Sequence, residues 1–102
     1  MFGLYGKLKT HPGQRDALLD LFLSATDSLL KMEGCYLYAI NTSVSDPDAL
    51  CIYEVWRSRD DHRASLESDV IRSLITAAAP LLAESPQARE LTPVGGVGIP
   101  FD

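Results

Sequence analysis

The chain has 102 residues, 46% of them hydrophobic and 23% charged, which suits one domain and excludes intrinsic disorder. Nine Lys and Arg stand against 14 Asp and Glu, a net charge of -5, and no basic cluster points to nucleic acid or an anionic membrane as a partner. No basic-then-apolar leader opens the chain and no apolar run is long enough to span a bilayer, so a cytoplasmic protein is expected.

Phe2, Leu4, Gly6 and Leu8 alternate with Gly3, Tyr5, Lys7 and Lys9. That period of two predicts a first strand. Its two glycines signal close backbone approach, a kink, or a missing side chain that leaves room for a ligand. Thr10-His11-Pro12-Gly13 is a turn. Leu18, Phe22, Ala25 and Leu29 then follow at helical spacing, with Leu19, Leu21 and Leu30 widening the stripe. This helix is expected to stop at Glu33-Gly34, where glycine supplies a left-handed cap.

Cys35 to Thr42 predicts a second strand, and Leu50 to Arg57 a third, joined by the turn Ser45-Asp46-Pro47-Asp48. Folding that hairpin around Asp46-Pro47 sets Tyr38 near Val55 and Ile40 near Tyr53. Cys35 and Cys51 then lie far apart, so both are expected as reduced thiols. With His11 and His62 as the other soft ligands, no zinc-site spacing exists. Ser58-Arg59-Asp60-Asp61 is a capping box that starts a second helix. Ser68-Asp69 is a further cap that divides it, and Pro80 ends or bends it. Arg89 to Val94 predicts a short fourth strand, and the tail Gly95-Gly96-Val97-Gly98-Ile99-Pro100 is apolar and glycine-rich.

The order strand, helix, strand, strand, helix, strand is the split-βαβ, ferredoxin-like arrangement. It predicts a single α+β domain over residues 1–102, with a four-stranded antiparallel sheet and helices on one face. Every strand carries large apolar groups on both sides, such as Leu37 against Tyr38 and Val55 against Trp56. Two helices cover only one side. A second copy stacking on the other, as a homodimer with a barrel-like centre, is the expected solution.

Several stretches carry a resemblance: His11-Pro12-Gly13, Glu33-Gly34-Cys35-x-x-Tyr38, Asp46-Pro47-Asp48, Tyr53-Glu54-Val55-Trp56 and the capped helix with Ser65-Leu66. In order and spacing they resemble the antibiotic biosynthesis monooxygenase family of small dimeric α/β-barrel proteins. The resemblance implies one of several activities. They include cofactor-free oxygenation of quinols and anthrones, haem degradation, and the handling of small signalling molecules. The asparagine, tryptophan and histidine of the haem-degrading branch align with Gly6, Ser65 and Ile75, so that activity is not expected.

No GxGxxG opens a helix and no Walker or GxSxG motif is present, so no cofactor and no metal is expected. An oxygenase of this kind needs a small aromatic or quinol-like substrate that reacts with dioxygen once deprotonated. The protein must then supply an apolar cavity, a proton acceptor and donors that steady the anion. His62, early in the second helix, is either a solvent-facing residue or a base whose neutral form the helix end favours. Many relatives place a histidine three residues later, where this chain has Ser65, a possible donor. Glu54 is either half of an ion pair, an exposed carboxylate or a proton acceptor. Trp56, the sole tryptophan, is either a core ring or a wall that stacks on the substrate.

Tyr38 and Tyr5 are the candidate phenol donors, and Asn41 is an additional donor unless it simply solvates the turn edge. The expected function is a cofactor-independent monooxygenase acting on a quinol or polycyclic phenol and dioxygen. A non-catalytic small-metabolite binder and a cofactor-free isomerase are the alternatives.

Overall fold

The computed structural model describes residues 1–101. Strand β1 (Phe2–Lys9) leads to helices α1 (Arg15–Ser24) and α2 (Thr26–Leu30). The hairpin β2 (Cys35–Thr42) and β3 (Ala49–Trp56) follows, then α3 (Arg59–Ser65), α4 (Asp69–Ala78), a 3-10 turn at Ala79–Leu81, and β4 (Gln87–Leu91). The sheet order is β2-β3-β1-β4 and each neighbouring pair is antiparallel. This is the ferredoxin-like α+β fold.

The inner face of the sheet is set by strand periodicity. Leu50, Ile52, Glu54 and Trp56 alternate on β3, with Leu50, Ile52 and Trp56 buried. Leu18 and Phe22 of α1, Leu29 of α2, and Ile71, Leu74 and Ala78 of α4 close over Leu50 and Ile52 as one core. Burying each such side chain stabilises the fold by about 1.5–3 kcal/mol before conformational entropy is subtracted.

Three expectations need correction. The first helix breaks at Ala25, whose N–H bonds back to Phe22 O at 3.1 Å while the Ser24 hydroxyl donates to Leu21 O at 2.7 Å. These three-back bonds tighten the chain and restart it as α2. The hairpin register is one residue away from the expected one: Tyr38 pairs with Glu54, and Ile40 with Ile52. The turn centres on Asp46, which accepts the Asp48 N–H at 3.0 Å and the Lys9 ammonium at 2.7 Å. An irregularity between Cys35 and Leu37 absorbs the extra residue. Finally, β4 occupies Gln87–Leu91 instead of Arg89 to Val94. Pro93 cannot extend the ladder and lies over Gly3, on the sheet face turned away from the helices.

The divided second helix is as read: Ser58 Oγ accepts from Asp61 N at 3.1 Å and Ser68 Oγ from Ile71 N at 3.4 Å. Gly34 ties α3 to the sheet. Its φ is +80°, its carbonyl accepts the Arg57 N–H at 2.7 Å, and a Cβ there would collide with the Asp61 carboxylate. Arg57 in turn donates to Asp61 at 2.7 and 3.0 Å and to Glu33 at 3.2 Å. Gly34→Ala should therefore cost about 1–3 kcal/mol, through left-handed strain and a displaced Asp61. Urea unfolding measures it.

Candidate active site

Between the inner sheet face and helices α3 and α4 lies a cavity of about 540 Å³. Its walls are almost wholly apolar, from Leu4 and Leu8 on β1 to Leu74 and Ile75 on α4. The polar exceptions lie on β2, β3 and α3: Tyr38, Glu54, His62 and Ser65. Glu54 is brought there by strand parity, one step along the row from the buried Ile52 and Trp56. Its Oε1 accepts the Trp56 indole N–H at 2.9 Å. The same oxygen stands 3.8 Å from His62 Nε2, beyond hydrogen-bond reach. Only 14% of the Glu54 side chain and 15% of the His62 side chain meet solvent, so the pair faces each other with little water between.

Burial raises the Glu54 carboxyl above its ordinary pKa, and the indole N–H offsets part of that rise. Burial lowers His62, and the Arg59 guanidinium lowers it further, while Glu90 pulls the other way. At neutral pH His62 is thus an unprotonated imidazole, the form that can take a proton. The direction matches the expectation, but the cause is enclosure and Arg59 before any helix-end effect. Tyr38 is pushed well up by burial and then by the Glu54 charge, so it remains a phenol with a proton to donate.

The His62 ring is held by its neighbours. Its centroid is 5.1 Å from that of Phe2 and 5.9 Å from that of Trp56, the latter edge-on. Arg59 stacks over Phe2 at 4.6 Å and grips Glu90 of β4 at 2.6 and 2.9 Å. A chain of contacts therefore runs from β4 through Arg59 and Phe2 to the imidazole.

Of the residues singled out in the sequence, His62, Glu54, Trp56, Tyr38 and Ser65 come together on this cavity. Two do not. Tyr5 has odd parity on β1, faces the opposite side of the sheet across from Tyr53, and borders a groove with Lys7 and Arg89. Asn41 likewise turns away from the cavity at the exposed end of β2, where its amide donates to Cys51 O at 3.0 Å. Ser65 reaches the cavity, but its hydroxyl proton is committed to His62 O at 2.5 Å. It is an acceptor there and no longer the donor expected. Among the described residues no group of three His, Cys, Asp or Glu comes together to hold a metal ion, and no helix is long and apolar enough to cross a membrane.

The family model for antibiotic biosynthesis monooxygenases matches residues 1–77, a span that contains every polar residue of the cavity wall. The chain belongs to that family. The probable quinol monooxygenase YgiN of Escherichia coli is 31% identical over 78 residues, 67% of this chain and 75% of its own length. A candidate antibiotic biosynthesis monooxygenase of Chloroflexus aurantiacus is 39% identical and superposes with a TM-score of 0.87, over 97% of this chain and 98% of its own. Rv0793 of Mycobacterium tuberculosis, 20% identical, shares the fold at a TM-score of 0.85 over 94% and 97% of the two chains.

Two residues that steer the His62 ring from outside the cavity lining escape sequence reasoning: Phe2 reads only as a strand residue, and Arg59 only as part of a capping box. Arg59 was within reach of a simple rule, because three residues before His62 on one helix is the same face. Its partner Glu90 had no local signal, since only the sheet order brings β4 beside β1 and the mouth of α3.

Proposed function

We propose that the chain is a cofactor-independent monooxygenase for a quinol or polycyclic phenol, working as a homodimer. The observation that carries this reading is His62 and Glu54 facing each other across 3.8 Å in an apolar cavity. A substrate hydroxyl seated beside the pair gives its proton to His62, and the resulting imidazolium has Glu54 as its counter-charge. Tyr38 donates to the quinol oxygen that takes up the negative charge. The electron-rich ring carbon beside that oxygen then bonds to dioxygen, and the imidazolium returns its proton to the peroxide, which leaves a ring hydroperoxide. Loss of the ring C–H proton expels hydroxide as the O–O bond breaks. One oxygen atom stays on the ring and the other departs as water. The quinol supplies both electrons, so quinol plus dioxygen becomes hydroxyquinone plus water with no other reductant.

The test is oxygen uptake with a naphthohydroquinone, beside an anaerobic control. Oxygen-dependent turnover with one labelled oxygen atom in the product is expected. Equal turnover without oxygen would replace the reading with an isomerase. No turnover, with a ligand-raised melting temperature, would replace it with a binding protein. The homodimer is supported by partly exposed Tyr5, Leu37, Ala39 and Tyr53 on the sheet face that the helices leave open. Sedimentation equilibrium should return twice the chain mass.

The pH profile supplies a second check. A neutral His62 is needed as base, so kcat/KM falls as pH drops through the depressed histidine pKa. Arg59→Gln removes a positive charge beside the imidazole and frees Glu90. Both changes favour the imidazolium, so the acid limb should move to higher pH. An unmoved limb would remove His62 from the base role.

A further inference from the structure

The sheet floor of the cavity contains a gap that the protein leaves open. Gly6 on β1 lies between Ile52 of β3 and Ala88 of β4, and all three border the cavity. A Cβ built on Gly6 would meet only Gln87 O, at the ordinary contact distance of 3.9 Å. Gly6 also keeps an ordinary strand backbone, without a left-handed φ. Neither packing nor backbone conformation therefore requires glycine at this position. Gly3 differs, because a Cβ there would press on Leu91 O at 3.2 Å and on Pro93 at 3.3 Å. The lining adds a second constraint: among the described residues Glu54 is its only acidic one, and no lysine or arginine borders the cavity.

We propose that Gly6 and Ala88 form a flat plate that receives the face of a neutral fused-ring phenol, and that Gly6 sets the ring size the site accepts. Leu4, the next inward residue on β1, pairs with Glu54, whereas Gly6 pairs with Ile52. The plate is thus displaced from the Glu54 row by two residues of strand, about 7 Å. A hydroxyl at that row with a ring over Gly6 spans more than one benzene ring and suits a fused pair. Bare backbone at Gly6 lets an aromatic face approach to contact distance, and a branched side chain there would occupy the same space. An anionic substituent would enter an apolar cavity whose described lining offers a carboxylate and no lysine or arginine, so a sulfonate or carboxylate on the ring is rejected. The inference rests on the oxygenase reading only for which end of the ring carries the reacting hydroxyl.

Calorimetric titration of the full chain with naphthol, naphthol sulfonate and phenol tests it without turnover. The native protein should bind naphthol at least about tenfold more tightly than its sulfonate. Gly6→Val should weaken naphthol by about tenfold or more while phenol changes by less than about threefold. Ala88→Val, on the exposed edge strand, should act in the same direction and guards against a Gly6→Val variant that folds poorly. Sulfonate binding as tight as naphthol, naphthol affinity indifferent to both variants, or equal losses for phenol and naphthol would each overturn the proposal. Naphthol binding that obeys these rules without turnover of a naphthohydroquinone upholds the plate and removes the oxygenase. Turnover with affinities indifferent to Gly6→Val does the reverse.

Discussion

Replacing His62 with alanine should slow quinol turnover about 10²–10⁴-fold, the range expected when a positioned base is lost. The ring is held by packing against Phe2 and Trp56. Losing those contacts should cost only about 0.5–1.5 kcal/mol each. The rate should therefore collapse while the protein stays folded, and steady-state oxygen uptake beside a thermal melt separates the two. Glu54→Gln makes the complementary case. The amide oxygen can still accept the Trp56 N–H, and the buried charge is gone, so stability holds or rises while the counter-charge for the imidazolium is lost. A rate that falls only in proportion to the folded fraction in either variant would return both residues to a structural role.

Trp56→Ala should produce the largest loss of stability in the molecule, about 3–5 kcal/mol. Trp56 is 1% exposed and heads the fully buried side chains, so alanine leaves a void beside an existing cavity. Against a total stability of about 5–15 kcal/mol for a domain this size, the variant is near its unfolding threshold. Trp56→Phe isolates the indole N–H. It keeps most of the ring but removes the donor to Glu54 Oε1 at 2.9 Å. A buried carboxyl whose folded pKa lies above its unfolded value makes folding less favourable as pH rises from the unfolded pKa through the folded one. Burial already places Glu54 in that position. Losing the indole donor raises its folded pKa further, so Trp56→Phe should lose more stability above that interval than below it. Urea unfolding at several pH values gives the comparison, and a pH-independent loss would mean that the bond does not hold the carboxylate.

The sheet, the divided second helix and the central motif of β3 were legible because each rests on local chemistry. Period-two alternation gave the strands, Ser58 and Ser68 gave the helix starts, and an acidic residue in an apolar row singled out Glu54. Placing Trp56 on the same face as Glu54 followed from parity alone. Parity was also the information that excluded Tyr5 and Asn41. Both have the wrong parity for the inner face, and chemical suitability outweighed that signal. The Tyr38 partner could not be read, because it depends on a turn centred on Asp46 and on an irregularity beside Tyr36. A single-residue slip there exchanges Val55 for Glu54 opposite Tyr38. Gly6 was noticed as a place where a missing side chain leaves room, although what the room adjoins emerged only from the strand order.

The sheet divides its labour in a way that bears on how such proteins diversify. Glu54 of β3 sits on an inner strand, where most residues are buried, whereas every residue of β4 is exposed. Mutational drift on that outer strand disturbs few packed atoms, yet Ala88 touches the chamber and Glu90 steers Arg59. Edits at this margin can therefore reshape the rim of the chamber while Glu54 and His62 keep their places.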